Sequence, residues 1–426
     1  MRIGFFTDVY TPQIDGVVRA IKLYKKALED QGHEVFIFAP KGLKRGSIFD
    51  FILGKEKNVF RFYAINSLFI PGYPLTIPIS LKATRKIPKL NLDIVHCHTP
   101  LSMGMLGDMV ALFSNVPQIF TYHTYYSEYA KHYFEIGKLK EPTAKVIRKL
   151  ESFYCNRADL VIAPSQKLKD VLENKMGVET ETKILPTGVD FSEFKNVNGD
   201  DFIKKYPELR DKKILLYVGR LGTEKNVEFL IDMLPKVLER EENARLVIVG
   251  DGKRKKYLKD KVREMNLDKQ VLFTGFLDRK KTLKAFKACH IFVFASQTDT
   301  QGLVLSEAAA SSKPLVMLDD PGLTPIAVQD RNAFFSSENV DEFAGYVLKL
   351  LQDESLYAKM ASNSREIVKD LSIENQARKL VELYEKKIEY HRGSSWRIGL
   401  WKKLNKKIEM PFKFNGKLEK FKKLFK

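Results

Sequence analysis

Short apolar runs alternate with amphipathic segments of helix length along the first half of the chain. Segments such as Val17–Gln31 and Thr143–Arg157 repeat their apolar residues at helical spacing. The runs between them have the length of buried strands. They are Ile3–Phe6, Val35–Ala39, Ile94–His96, Gln118–Thr121, Leu160–Ala163 and Ile184–Leu185. Because helices on both faces of a parallel sheet produce this alternation, the pattern predicts an α/β doubly wound sheet.

A second series of the same kind follows a polar stretch near residues 190–213. Its predicted strands are Ile214–Val218, Ala244–Val249, Gln270–Thr274, Ile291–Ala295 and Pro314–Leu318. We predict Rossmann-like domains over residues 1–190 and 191–371, with a final helix at about 372–390 that returns to the first domain. Ligands of such sheets bind beyond the carboxyl ends of the strands, so the site is expected in a cleft between the domains.

Length and composition support an ordinary globular protein. The 426 residues suffice for roughly two to three domains, and 44% of them are hydrophobic. Cys97, Cys155 and Cys289 are far apart and follow no ligand spacing, which indicates reduced cysteines and no metal site. No run approaches the roughly 18 apolar residues of a membrane span, so any membrane contact is expected to be peripheral.

The net charge of +19 is concentrated at the end of the chain. Residues 391–426 contain twelve Lys or Arg against two Glu, which is more than half of the total excess. On a helix, one apolar stripe of this tail comprises Leu400, Trp401, Leu404 and Ile408, with lysines largely opposite. Cations facing Trp and Leu are typical of helices that lie in a membrane interface. The alternatives are a solvated tail or a nucleic-acid arm. We favour an anionic membrane surface and no nucleic acid, because both Trp residues of the chain lie in this tail.

Two positions that follow strands of the first series carry candidate binding groups. Gly16 begins a helix, where a glycine lets backbone N–H groups approach a phosphate closely; the alternative is an ordinary turn. His123 follows the strand Gln118–Thr121 and could hydrogen-bond a sugar hydroxyl or a phosphate, although a single His is more often structural. His96 and His98 lack a carboxylate at metal-ligand spacing, so we expect a packing role for them.

The second series carries two cations after its first strand. Arg220 and Lys225 lie five residues apart around a glycine turn that ends a buried strand. Such a pair would stabilise a leaving diphosphate, whose charge grows as the bond to it breaks. The alternative is two solvated surface side chains.

A loop of the second series carries two carboxylates eight residues apart, Asp299 and Glu307. Gly302 permits close backbone approach, and the N-terminus of the next helix near Leu303, predicted as Val304–Ser311, favours an anion. Carboxylates accept paired hydrogen bonds from vicinal hydroxyls, which a sugar ring and a ribose both offer. The alternative is a helix cap and a surface Glu.

Together these motifs resemble glycosyltransferase family 4, retaining enzymes of the GT-B fold. The family pattern of Glu, seven residues and Glu matches Asp299 and Glu307, with Asp in place of the first Glu. A Gly-Arg-Leu-x-x-x-Lys-Asn pattern matches residues 219–226. The resemblance implies that the cations hold the donor diphosphate, Asp299 the sugar hydroxyls and Glu307 the ribose. It assigns catalysis to His123, Asp299 and Glu307, and donor binding to Gly16, Arg220, Lys225, Gly302, Leu303, Val304 and Glu307.

A narrower resemblance concerns the segments Thr300–Leu303 and Thr7–Val18, which are similar to those of bacterial diacylglycerol glucosyltransferases. It implies transfer of glucose from UDP-glucose to 1,2-diacylglycerol for glycolipid or lipoteichoic acid anchor synthesis. The enzyme would be a peripheral protein of the cytoplasmic membrane face, with the nucleotide sugar as co-substrate and no tightly bound cofactor. Open alternatives are a GDP-mannose-dependent phosphatidylinositol mannosyltransferase, a family 4 transferase with a polysaccharide acceptor, and a non-catalytic membrane-binding protein.

Overall fold

The computed structural model describes residues 1–13, 15–41, 57–66, 74–78, 85–127, 140–296, 299–320 and 326–393.

The first sheet consists of parallel strands from the first half of the chain. The strands are β1 (Arg2–Phe6), β2 (Glu34–Pro40), β3 (Val59–Phe62), β4 (Ala64–Asn66), β5 (Pro74–Thr76), β6 (Ile94–Cys97), β7 (Gln118–Thr121), β8 (Leu160–Ala163) and β9 (Thr182–Ile184). Their order is β3-β2-β1-β6-β7-β8-β9, and β4 pairs antiparallel with β5 outside this sheet. The strand order therefore reverses between β1 and β6, where ligands bind in doubly wound sheets.

The second sheet repeats this arrangement. Its strands are β10 (Lys213–Val218), β11 (Ala244–Val249), β12 (Val271–Gly275), β13 (Ile291–Phe294), β14 (Leu315–Leu318) and β15 (Ala333–Ser336). They are all parallel, in the order β12-β11-β10-β13-β14-β15. The reversal lies between β10 and β13, so the loops after these two strands are neighbours.

Helices cover both sheets. They are α1 (Gly16–Asp30), α2 (Ser102–Ser114), α3 (Lys140–Cys155), α4 (Gln166–Asp170), α5 (Asp200–Lys205), α6 (Val227–Asp232), α7 (Leu234–Leu238), α8 (Lys255–Glu264), α9 (Arg279–Ala288), α10 (Leu303–Ala310), α11 (Val340–Gln352), α12 (Glu354–Ile367) and α13 (Ile373–Gly393). Single 3-10 turns occupy Pro88–Leu90, Phe191–Phe194, Pro207–Leu209, Thr223–Lys225 and Lys369–Leu371, and a π turn occupies Val171–Lys175.

Successive residues of β1 point to opposite faces of the first sheet, and each face has its own apolar core. Phe5 belongs to the core that includes α1 and α13. Phe6 belongs to the core that includes α2, and its ring stacks on Phe38 with 4.3 Å between centroids. The second sheet and its helices share one further continuous core.

The last helix, α13, packs against the first sheet. Its buried residues are Ile373, Gln376, Ala377, Leu380, Tyr384 and Ile388, spaced as one helical face. Gly188 makes the return of the chain possible, because a Cβ there would lie 2.5 Å from Ile373 Cα. We call the first sheet with its helices and α13 the N-terminal domain, and the second sheet with its helices the C-terminal domain.

The structure differs from the sequence predictions mainly at sheet edges. The edge strands β3 and β15 were not predicted, because Val59–Phe62 contains a polar residue and Ala333–Ser336 is short and polar at its end. Pro74–Thr76 forms strand β5 in a segment for which no strand was predicted. Helix α10 begins at Leu303, one residue before the prediction, because Gly302 takes a left-handed conformation with φ 68° and ends the preceding loop.

The C-terminal end also differs from its prediction. Helix α13 continues to Gly393, so the first three residues of the predicted tail 391–426 belong to this helix. The rest of that tail lies outside the described residues. Among the helices that the structure describes, none is long and apolar enough to cross a bilayer.

Candidate active site

A cavity of about 360 Å³ lies between the carboxyl ends of the two sheets. Residues of both domains line it, from the loops after β1, β7, β10 and β13. Among the predicted site residues, those in the lining are Gly16, His123, Arg220, Lys225, Asp299, Gly302, Leu303 and Val304. Glu307 is not in the lining. The structure thus brings together residues from four separate segments of the sequence.

Two helix N-termini meet at this cavity. Helix α1 begins at Gly16, and the side chain of Asp15 caps it by accepting a hydrogen bond of 2.8 Å from Val18 N–H. Helix α10 begins opposite, at Leu303. A Cβ on Gly16 would lie 3.6 Å from Leu303 Cδ1, so the two helix ends almost touch across the cleft. The positive dipole ends of both helices favour an anion at this place.

Both predicted cations form ion pairs at the edge of the second sheet. Lys225 Nζ lies 2.6 Å from Asp299 Oδ1, and Arg220 Nη2 lies 3.2 Å from Glu224 Oε1. Burial raises the pKa of Asp299, but the charge and hydrogen bond of Lys225 outweigh this, so its pKa lies below the ordinary value. Asp299 is therefore an ionised carboxylate near neutral pH. Glu224 was not among the predicted site residues, since its only signal in the sequence is its place between the two cations.

His123 is a neutral imidazole in the wall of the cavity. Burial lowers its pKa to about 4. Its Nε2 lies 3.0 Å from Nδ1 of the buried His98, and the rings stack with 5.3 Å between centroids. His98 therefore contacts a cavity residue in addition to packing in the core. His96 bonds to Tyr384 Oη at 2.5 Å and to Thr121 Oγ1 at 2.7 Å inside the N-terminal domain.

The loop that follows Asp299 also contacts the N-terminal domain. Thr300 donates a hydrogen bond of 2.8 Å from Oγ1 to the carbonyl of His123. The hydroxyl of Ser165 donates one of 2.6 Å to the carbonyl of Thr300. These bonds connect the side of the cavity that carries Asp299 with the side that carries His123.

Glu307 lies beyond the cavity lining, in an ion-pair network between the domains. Its Oε1 is 2.6 Å from Arg279 Nη1 and 3.9 Å from Arg19 Nε. Glu193 binds both arginines, with 2.9 Å from Arg19 Nη1 and 2.7 Å from Arg279 Nη2. These three partners of Glu307 were not among the predicted site residues. Arg19 lies three residues after the predicted site residue Gly16, whereas nothing local marked Arg279 or Glu193.

The chemistry of the cavity suits an anion joined to a group that carries hydroxyls. Two cations and two helix N-termini can bind a diphosphate, and the nearby Asp299 carboxylate can accept hydrogen bonds from hydroxyls. Within the part of the chain that the structure describes, no group of three or more His, Cys, Asp or Glu side chains could hold a metal ion. The side chains of Arg220 and Lys225 and the two helix ends offer positive charge to phosphates at this site.

Comparisons with known proteins agree with this arrangement. The family model described as Glycosyltransferase Family 4 matches residues 14–193, and the one described as Glycosyl transferases group 1 matches residues 199–367. Alpha-monoglucosyldiacylglycerol synthase of Streptococcus pneumoniae is 31% identical over 402 residues, which cover 90% of this chain and 85% of that protein. The protein of the same name from Acholeplasma laidlawii is 27% identical over 416 residues, which cover 96% of this chain and 100% of that protein.

A solved structure shows the same fold at lower identity. The crystal structure of Anabaena Alr3699/HepE in complex with UDP and glucose matches with a TM-score of 0.71 and 18% identity, over 91% of this chain and 100% of that one. Two facing doubly wound domains are thus common to both molecules, as the sequence motifs implied. The chain therefore belongs to glycosyltransferase family 4 and is a glycosyltransferase with the GT-B fold.

Proposed function

We propose that this enzyme transfers glucose from UDP-glucose to 1,2-diacylglycerol at the cytoplasmic face of the cell membrane, as a step in glycolipid or lipoteichoic acid anchor synthesis. The observation that carries the proposal is the cavity in which Lys225 and Asp299 pair beside two helix N-termini. The names of the two relatives support the acceptor and the sugar. The UDP and glucose bound to the Anabaena protein are in keeping with the donor.

In this proposal the donor lies mainly on the C-terminal domain. Arg220 and Lys225 stabilise the diphosphate as its charge grows during departure, and the N-terminus of α1 at Gly16 approaches the phosphates. Asp299 accepts hydrogen bonds from hydroxyls of the transferred sugar. His123, which is neutral, lies near that sugar and can bond a hydroxyl without adding charge.

The remaining donor contacts come from the start of α10 and from its second turn. Gly302, Leu303 and Val304 offer backbone N–H groups to the phosphates, because they form the N-terminus of the helix. Glu307 binds the ribose hydroxyls, and Arg279 holds its carboxylate at 2.6 Å. Retention of the anomeric configuration is what the family resemblance implies.

The acceptor is proposed to bind on the N-terminal domain, with residues 391–426 holding the enzyme on anionic lipid. The last described residues lie beside helix α2, since His391 Nε2 is 3.1 Å from Asn115 Oδ1. One face of α2 exposes Met105, Met109 and Phe113, of which Met105 and Phe113 are more than 60% exposed. An exposed apolar stripe next to the start of a basic tail is in keeping with a lipid surface on this side of the molecule.

A screen of donors and acceptors tests the proposal. Radiolabelled UDP-glucose, UDP-galactose and GDP-mannose are each offered with vesicles that contain diacylglycerol, vesicles that contain phosphatidylinositol, and a soluble polysaccharide. We expect transfer from UDP-glucose to diacylglycerol to exceed every other pair by at least about tenfold. Transfer only from GDP-mannose to phosphatidylinositol would establish the mannosyltransferase alternative. Transfer only to the polysaccharide would remove the lipid acceptor.

The membrane part of the proposal has a separate test in the full-length chain. Replacing Lys402, Lys403, Lys406 and Lys407 by Gln removes four positive charges from the tail. We expect binding to vesicles with anionic lipid to fall by at least about tenfold, because each cation near such a surface contributes on the order of 1 kcal/mol. Transfer to detergent-dispersed diacylglycerol should remain. Unchanged vesicle binding would contradict the role of the tail.

A further inference from the structure

The side-chain amide of Gln301 binds both backbone polar groups of a single residue in the other domain. Its Nε2 donates to the carbonyl of Thr187 at 2.8 Å, and Thr187 N–H donates to its Oε1 at 2.8 Å. Both residues are buried, Gln301 at 5% exposure and Thr187 at 4%. Because the two bonds satisfy an amide that is shielded from water, separating Gln301 from Thr187 would leave buried polar groups unpaired.

Gln301 lies in the segment that joins Asp299 to helix α10. Asp299 comes two residues before it and is paired with Lys225 inside the C-terminal domain. Gly302 follows Gln301 in a left-handed conformation, and α10 begins at the next residue. Thr187 follows β9 and precedes the linker between the domains. The Gln301 amide therefore fixes the middle of this segment to the N-terminal domain. Asp299, the first residue of the segment, is fixed to the C-terminal domain.

From this geometry we infer that Gln301 is a positioning residue, which orders the sugar-binding end of the donor site only while the two domains are in contact. The inference rests on the proposed nucleotide-sugar function. The cations Arg220 and Lys225 follow β10 in the C-terminal domain, so they hold a nucleotide diphosphate without help from Gln301. The placement of Asp299 and of the start of α10 against His123 depends on the contacts of this segment with the N-terminal domain. The amide of Gln301 supplies two of them, beside the hydrogen bonds of Thr300 with His123 and Ser165.

Three variants of the full-length chain test the inference. Gln301→Met keeps the length of the side chain and removes both hydrogen bonds. Gln118→Met is the matched control, because Gln118 is a fully buried amide of the N-terminal domain that bonds to Tyr154 Oη at 3.1 Å outside the cavity. Gln301→Glu keeps the acceptor for Thr187 N–H and loses the donor to the Thr187 carbonyl while it is ionised.

We expect Gln301→Met to lower kcat by about tenfold or more, with the affinity for UDP, measured by calorimetry, changed by less than about threefold. The amide of Thr187 should exchange its hydrogen faster than in the wild-type chain, because its acceptor is gone. Gln118→Met should lower thermal stability, but it should not lower kcat by a larger factor than it lowers the affinity for UDP. Equal kcat in Gln301→Met and wild type, or an unchanged exchange rate at Thr187, would overturn the inference.

The Gln301→Glu variant adds a signature in pH. A protonated carboxyl can donate to the Thr187 carbonyl, whereas an ionised one is repelled by it. We therefore expect the activity of this variant relative to wild type to rise as the pH falls through the pKa of the introduced carboxyl; a flat ratio counts against the inference.

Failure of the inference about Gln301 can be distinguished from failure of the proposed function. Hydrolysis of UDP-glucose, UDP affinity and Thr187 exchange need no lipid acceptor. A wild-type chain that fails to glucosylate diacylglycerol contradicts the proposed acceptor, and these three measurements still decide the role of Gln301.

Discussion

Lys225 and Asp299 are 74 residues apart in the chain, and their side chains meet at 2.6 Å at the carboxyl edge of the second sheet. They meet because β10 and β13 are neighbouring parallel strands, so the loops after them emerge side by side. Each side chain is largely buried, at 16% and 20% exposure. Under the proposed function, a cation for the diphosphate and a carboxylate for the sugar hydroxyls would thereby be held at adjoining positions of one site.

Replacement of Lys225 is expected to affect catalysis far more than the loss of an ordinary ion pair. We predict that Lys225→Ala lowers kcat by about 10²- to 10³-fold, because a charge that stabilises the leaving diphosphate is lost. Lys261→Ala is the matched control, since Lys261 pairs with Asp232 at the same 2.6 Å away from the cavity. Steady-state transfer rates check the prediction, and equal activities of the two variants would contradict it.

The lack of a side chain at Gly16 is predicted to leave room for the donor phosphates in the cleft and to contribute little to the stability of the fold. Among the described residues, a Cβ at this position meets only Leu303 Cδ1, at an ordinary contact distance of 3.6 Å. Gly16→Ala should therefore leave the free energy of unfolding within about 1 kcal/mol of the wild-type value. The added methyl group narrows the approach to the phosphates, and KM for the donor should rise by about tenfold. Gly345→Ala in α11 is the control, because its Cβ would meet no atom of the described part of the chain within 4 Å. A donor KM unchanged in Gly16→Ala would show that the phosphates bind elsewhere.

Glu307 is predicted to act on the nucleoside part of the donor. If its carboxylate holds the ribose, Glu307→Gln should weaken UDP binding by about tenfold, since hydrogen bonds to a charged group contribute about 1.5–3 kcal/mol. Binding of inorganic pyrophosphate, which has no ribose, should stay within about twofold. Calorimetry with both ligands makes the comparison. Equal losses for UDP and pyrophosphate would mean that Glu307 acts only by holding Arg279, at 2.6 Å, and the rest of the ion-pair network.

Glu151 is predicted to make the stability of the N-terminal domain depend on pH. Burial raises the pKa of Glu151 to about 7, and its Oε1 accepts hydrogen bonds of 2.6 Å from Tyr122 Oη and 3.0 Å from Tyr126 N–H. A carboxyl with a raised pKa stabilises the fold fully below its unfolded pKa of 4.5, and this contribution is lost as the pH rises to about 7.

The size of this effect can be measured against an uncharged analogue. The wild-type chain should lose stability relative to Glu151→Gln by an amount on the order of 3 kcal/mol between pH 4.5 and 8. Denaturant unfolding of both proteins across this range checks the prediction. A constant difference between them would show that folding does not raise the pKa of Glu151.

Much of the candidate site could be proposed from the sequence because its residues lie in local motifs. Gly16, Arg220 and Gly302 each follow a buried strand and lie at or near a helix start, a pattern that can be read within a dozen residues. Their place at the carboxyl ends of parallel strands then follows from the doubly wound fold. The contacts of Gln301 with Thr187 and of Glu307 with Arg279 were not predictable in this way, because each joins segments with no shared local pattern.

The sequence by itself determined the alternation of strands and helices, the two-sheet architecture, the family and the residues after each strand. It could do so because periodic burial and turn chemistry are local properties of the chain. Only the tertiary structure decided that Glu224 pairs with Arg220, that His98 contacts His123, and that Gln301 joins the two domains. These contacts depend on which strands are neighbours and on how the domains face each other, and both are set by the packing of the whole chain.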